Sequence, residues 1–233
     1  MVRCHTFGAD MGFEVETKDC TAVTDAELGE LESLSVDSPN ALSMGVLSKQ
    51  TEEWVLLTTA RENGKLSGYV FYTLERIGGT PAVIMGLGSV MRNNRRNATL
   101  KALMNELYHR ALMAFPDEDV IFGTTILSPS GLEVFKDLTD ELPKPSYRPS
   151  GEERAWGRRF AKRLGFSPLG FDDKKFIAVG DGSKPCVFDH ESLKPEKIDK
   201  DLIGMFMDLD HESGDALVVV AWAMAEKLEK LGT

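Results

Sequence analysis

Apolar and polar residues alternate along the chain in a pattern that changes period several times. Phe13-Glu-Val-Glu-Thr17 alternates strictly, which predicts a half-buried first strand. Thr24-Asp-Ala-Glu27 has the spacing of a capping box, and Leu28, Leu31 and Leu34 behind it predict a helix. Pro39 is placed to open a second helix through Leu42, Met44 and Leu47. Glu53–Ala60, Leu66–Leu74 and Ala82–Val90 are rich in β-branched and apolar residues. Turns at Glu62–Lys65 and Gly78–Thr80 separate them, which predicts an antiparallel meander.

Beyond Val90 the period becomes helical. Leu100, Leu103, Met104, Leu107, Ala111, Leu112 and Phe115 form one stripe, and His109 sits at its boundary. Pro116–Asp119 stops that helix, and Val120–Leu127 reads as a buried strand reached by a crossover. Ser128–Gly131 leads into a short helix over 132–138, followed by a proline-dotted loop up to Pro149. A basic helix spans Glu152–Phe166, with Gly165 as its stop, and Phe176–Val179 reads as another strand. After Lys184 the texture changes. Two helices are predicted there, about 199–208 and 215–231, the second with a wide apolar face. The acidic turn Asp208–Asp215 between them lacks EF-hand spacing and reads as helix capping.

Composition narrows the class. At 233 residues and 42% hydrophobic, the chain can bury one substantial core. A net charge of −10 makes an extended nucleic acid or an anionic membrane surface an unfavourable partner. The three cysteines, Cys4, Cys20 and Cys186, are far apart and show no metal-ligand spacing. Reduced thiols, a cytoplasmic location and no bound metal are therefore expected. The N-terminus lacks the apolar core of a signal peptide, and the run Ala216–Ala225 is too short to span a bilayer.

The candidate chemistry lies where the meander meets the long helix. Val90 to Leu103 joins a strand to a helix N-terminus through Arg92, Asn93, Asn94, Arg95, Arg96 and Asn97. Unpaired N–H groups, a positive dipole end and guanidinium forks suit an anion. The basic helix adds Arg154, Arg158, Arg159, Lys162 and Arg163, which could meet a phosphate, an acidic partner, or solvent alone.

The order strand, two helices, three-strand meander, helix, strand, helix, strand resembles the GNAT superfamily of N-acetyltransferases from about Phe13 to Val179. Gly64-Lys-Leu-Ser-Gly-Tyr-Val-Phe71 is similar to the family's turn and third strand. Val90, Arg95 and Leu103 fall at family offsets around its pyrophosphate loop, and Phe160–Phe166 ends on Leu-Gly-Phe as its fourth helix does. The resemblance implies an α/β (α+β) fold with a mixed, mostly antiparallel twisted sheet of six to seven strands flanked by helices. That domain would cover 1–183 with an inserted loop at about 139–151, and a C-terminal helical extension would cover 184–233.

It further implies an acetyl-CoA or other acyl-CoA co-substrate, its thioester held between the splayed fourth and fifth strands. Ser89, Val90, Met91, Arg95, Arg96, Asn97, Ala98, Thr99 and Leu100 would contact that donor. The acceptor would be a small-molecule or peptide amine. Two departures stand out: Ala98 and Leu100 occupy the loop's glycine positions, and Ala161 or Phe135 stands where a phenol commonly protonates the thiolate. Leu100 is expected to turn inward to the apolar stripe. Ser128, after the fifth strand, and Tyr147, in the inserted loop, are the catalytic candidates. The reading leaves open an N-acyltransferase, a GNAT-like binding or assembly module without transfer activity, and an enzyme with another donor or a nucleic-acid substrate. The apolar final helix suggests a homodimer contact.

Overall fold

The computed structural model describes residues 12–38 and 40–232. Cys4, Pro39 and the first eleven residues lie outside that set. Strand β1 (Phe13–Asp19) pairs antiparallel with β2 (Leu56–Glu62) along its full length. Helices α1 (Asp25–Leu34) and α2 (Met44–Glu53) connect them. The capping box is present at the start of α1: Glu27 N–H donates to Thr24 Oγ1 at 3.3 Å, and Thr24 N–H donates to Glu27 Oε2 at 2.9 Å. Helix α2 starts later and runs further than its sequence pattern predicts. Glu53 closes the helix and Trp54 caps it, so the strand begins only at Leu56.

The meander forms as expected from β2, β3 (Lys65–Ile77) and β4 (Thr80–Val90). Asn63 and Gly64 both take positive φ in the first turn, as an Asn-Gly hairpin turn requires. Helix α3 (Arg96–Ala114) buries Leu100, Leu103, Met104, Leu107 and Ala111 against the sheet. His109 ends at the boundary, its Nδ1 donating to the Gly232 carbonyl at 2.8 Å. Strand β5 (Val120–Ile126) is buried throughout and lies parallel to β4. A 3₁₀ segment, Pro129–Phe135, replaces the short helix predicted over 132–138, and the expected inserted loop contains a short strand, β6 (Thr139–Leu142). Helix α4 (Gly151–Arg163) starts at a second capping box, Ser150 with Glu153. Short pairs β7 (Phe171–Asp172) and β8 (Ile177–Ala178) follow, then β9 (Phe188–Asp189) and the short helix α5 (Lys200–Gly204).

The C-terminal helical extension is corrected by the structure. The helix predicted over about 199–208 is present as the shorter α5, but of the one predicted over 215–231 residues Ala216–Ala223 form strand β10, inserted between β5 and β8, and only Ala225–Leu231 is helical, as α6. Val218, Val219 and Val220 are buried, and seven successive residues pair with β5 from Leu217↔Ile126 to Ala223↔Val120. β-branched residues suit a strand enclosed on both faces, and an apolar run of that kind has no period to separate it from a buried helix. Helix α6 returns to α3, and Leu228 is fully buried there. Most of the apolar residues that suggested a second subunit are thus covered within the chain, while Met224 is exposed.

The sheet has ten strands in the order β1-β2-β3-β4-β5-β10-β8-β7, with β6 on β10 and β9 on β4. It is mixed and mostly antiparallel, and helices flank it, which is the fold class expected. Residues between β8 and β10, which are antiparallel neighbours, leave the sheet, pass β4 and return. Among the described residues no helix is long and apolar enough to cross a membrane.

Candidate functional site

Strands β4 and β5 pair only at Ala82↔Ile121, Val83↔Phe122 and Ile84↔Gly123, and then part. β4 continues to Val90 and β5 to Ile126, so a crevice opens between them toward the start of α3. This is the splay in which the resemblance places a thioester. Here the chain itself fills it. Strand β9 lies parallel to β4 in the opening, pairing Gly88↔Phe188 and Ser89↔Asp189, and Gly88 N–H donates to the Val187 carbonyl at 3.2 Å. From the other wall, Thr125 Oγ1 donates to the Cys186 carbonyl at 3.1 Å. Gly88 is needed for this contact, because a Cβ there would lie 2.6 Å from Phe188 Cδ2. Val187, Phe188, His190 and Ser192 are almost completely buried.

The basic loop after β4 fastens this strap, residues 186–192. Arg92 Nη2 donates to both Asp189 carboxylate oxygens, at 3.2 and 3.4 Å. Arg96 donates through Nε to the Glu191 carbonyl at 2.6 Å and through Nη2 to the Ser192 carbonyl at 2.9 Å. His190 Nε2 donates to Glu133 Oε2 at 2.9 Å, while its buried Nδ1 has no partner among the described residues. Burial holds the His190 imidazole below its ordinary range, against the raising influence of Glu133. Burial also pushes the Glu133 carboxyl up, but bonds from Ser192 and His190 outweigh it and leave the group below its ordinary range. Asn40 Nδ2 donates to the Pro185 carbonyl at 2.9 Å at the strap's entry.

The other loop residues are placed as follows. Ser89 and Val90 are buried in the sheet, and Met91 N–H donates to the Ser67 carbonyl at 2.8 Å. That N–H is spent on β3 and does not face the crevice. Arg95 lies on Glu62, at 2.9 Å, and over the Phe13 ring at 5.1 Å. The N–H groups of Ala98 and Thr99 both donate to the Arg95 carbonyl, at 2.9 and 3.0 Å. Asn97 has a buried Oδ1 with no partner among the described residues, and Leu100 turns into the core at 1% exposure. The N–H groups of Ala98 and Thr99 are therefore spent within the helix, and the arginines of the loop are engaged by protein groups. The residues present do not seat an acyl-CoA in this conformation.

Ser128 and Tyr147, the two catalytic candidates, line different cavities. Ser128 borders one of about 440 Å³ at the crevice mouth, with Arg92, Asp189, Lys184, His211 and Glu212. Its side chain makes no capping bond; its carbonyl accepts from Gly131 N–H at 3.0 Å. Tyr147 borders a lysine-rich cavity of about 370 Å³ and donates to Glu153 at 3.0 Å. That bond holds the phenol above its ordinary range, which makes it a poorer acid.

The basic helix is mostly neutralised. Arg154 and Arg158 pair with Asp173, Arg163 forks onto Glu75, and Arg159 lies over Trp156. In the acidic turn, Asp210 and Asp215 accept backbone N–H bonds. No metal-binding group of three or more His, Cys, Asp or Glu forms among the described residues.

Sequence reasoning missed the strap. Its one legible signal was Gly86-Leu-Gly88 in an otherwise bulky strand, because glycine inside a strand often marks a close approach. Gly86 meets the Trp54 ring and Gly88 the Phe188 ring.

No family model matches the sequence, and no curated protein matches it. Several solved structures are similar in fold. The aminoglycoside 6'-N-acetyltransferase from Enterococcus faecium has a TM-score of 0.41 at 13% identity, over 89% of this chain and 96% of that one. The ribosomal-protein-S18-alanine N-acetyltransferase of Escherichia coli has a TM-score of 0.41 at 10% identity, over 89% and 92%. Arabidopsis thaliana Naa50, in complex with a bisubstrate analogue containing CoA, has a TM-score of 0.34 at 16% identity, over 57% and 89%. Likenesses of this degree carry no argument about activity, and the GNAT-like reading rests on the element order, the sheet and the parted strands.

Proposed function

We propose that the protein is a GNAT-type N-acyltransferase, cytoplasmic and acting on an amine, held in a conformation that excludes its acyl-CoA donor. The observation that carries this reading is the parting of β4 and β5 beyond Ile84 and Gly123, with a cavity of about 440 Å³ at its mouth. Glu212 offers a carboxylate to a protonated amine there, and Ser128 offers a hydroxyl. Free thiols at Cys20 and Cys186 support the cytoplasmic part of the reading.

A second reading is favoured by a specific observation: Arg92 and Arg96 already bind the chain's own strap. On that reading the same frame works as a binding module without acyl transfer.

The two separate in one assay. The full chain and an Asp189→Ala variant, which removes the Arg92 fastening, are incubated with acetyl-CoA and a panel of amines: a polyamine, an aminoglycoside and a peptide with a free N-terminus. Amine-dependent release of free thiol by either protein is the result expected. Thiol release that never exceeds the rate with buffer alone, in both proteins and with every amine, would rule out the transferase.

A further inference from the structure

The strap presents the crevice with groups of the kind a nucleotide thioester donor would bring. Its backbone at Val187–Asp189 adds a strand to the free edge of β4, as an extended polyamide could. The Asp189 carboxylate lies on the Arg92 guanidinium, and the Glu191 and Ser192 carbonyl oxygens lie on Arg96. Oxygen acceptors thus occupy the forks that could otherwise hold phosphate oxygens. The Phe188 ring fills the space above Gly88, where the crevice would accept the donor's slender chain. Backbone, anion and apolar filler all come from one short segment.

We infer that residues 186–192 are an internal occupant of the donor crevice, competing with acyl-CoA for the β4 edge and for the guanidinium groups of Arg92 and Arg96. The inference rests on the transferase reading for the identity of the displaced ligand, but the occupancy stands on the contacts alone. Strap and donor exclude one another, so the affinity measured for any CoA compound is reduced by the fraction of molecules in which the strap is out. The strap's position supports an exchangeable element. It pairs with β4 through two residues only, and it hangs on a connection between β8 and β10 rather than on a sheet strand of its own length.

The test uses the full chain and desulfo-CoA, which binds without reacting. Calorimetric titration is compared for the wild type, Asp189→Ala and the Phe188→Ala/Asp189→Ala pair, all of which keep both loop arginines. Removing the strap's anion and its ring is expected to tighten binding at least about tenfold. Equal affinity in all three proteins, with faster amide exchange at Gly88 showing that the strap has opened in the variants, overturns the inference.

The wild type supplies a second measurement that does not depend on how the variants fold. Gly88 amide exchange is followed as desulfo-CoA is added, and it is expected to change in step with the bound fraction. Binding that leaves Gly88 exchange and its Val187 bond undisturbed also overturns the inference. The two claims fail separately. Tight desulfo-CoA binding in the opened variants without amine-dependent thiol release removes the transferase and leaves the strap. Thiol release by the wild type with Gly88 still protected removes the strap's role and leaves the transferase.

Discussion

At Gly88 a single missing Cβ decides whether the crevice can be filled by a phenyl ring. The ring carbon Cδ2 of Phe188 lies 2.6 Å from where that Cβ would stand, and the Tyr69 carbonyl oxygen lies 3.1 Å away. Gly88→Ala is therefore expected to destabilise the fold by about 1–3 kcal/mol, as overpacking does. Gly88→Ala combined with Phe188→Ala should cost less than the sum of the two single changes, because the second removes what the first collides with. Urea midpoints of the four proteins measure this, and strict additivity would contradict the contact. His190 governs the pH behaviour of the same segment. Its imidazole is held below the ordinary 6.5 by burial, so the unfolded chain binds a proton more readily than the folded one. Stability is thus complete above that value and is lost as pH falls through it toward the folded pKa. A urea midpoint that drops as pH falls below about 6.5, and a smaller drop in His190→Gln, are expected. An identical drop in the variant would remove His190 from the explanation.

Among the elements, β10 is the one whose assignment changes the most. It supplies buried residues from Ala216 to Ala221 to the middle of the sheet, and it touches β5, β6 and β8. Truncation after Lys194, which would merely remove an appendage if the C-terminus were helical, is expected to abolish cooperative unfolding and leave β5 with an open apolar edge. A soluble truncated chain with a normal urea transition would contradict the inner position of β10. The remaining elements were readable where local rules decide them. The capping boxes at Thr24 and Ser150, the Asn63-Gly64 turn and the stripe of α3 all depend on neighbours within a few residues. Leu100 was legible for the same reason, as the first member of that stripe. β10 and β9 were not, because their state is set by partners 38 to 103 residues away in sequence: Leu217 meets Ile177 and Trp222 meets Ile121, while Phe188 meets Gly88. The sequence singles out the arginines of the loop as an anion-reading cluster; the anion on Arg92 is Asp189 of the same chain, 97 residues on.

For the molecule as a whole, the question is whether a fastened strap can keep out a ligand of ordinary strength. A micromolar ligand brings about 8 kcal/mol at a 1 M standard state. The strap has charge-assisted bonds at Arg92–Asp189, Arg96–Glu191/Ser192 and His190–Glu133. Hydrogen bonds to charged groups contribute about 1.5–3 kcal/mol each. The two totals are of the same order, so a strap–donor exchange is a balanced competition that changes in a few contacts can tip. The negative surface, at a net −10, opposes an anionic donor at long range and leaves Arg92 and Arg96 as the local attraction.

Hydrogen exchange of the Gly88 backbone amide in the ligand-free full chain reports most directly on whether the chain occupies its own crevice. With Val187 accepting that N–H at 3.2 Å, and with Phe188 sealing it from water, Gly88 should exchange as slowly as the amides of the β3–β4 ladder. Exchange as fast as that of an exposed loop amide would show an open crevice and contradict the strap.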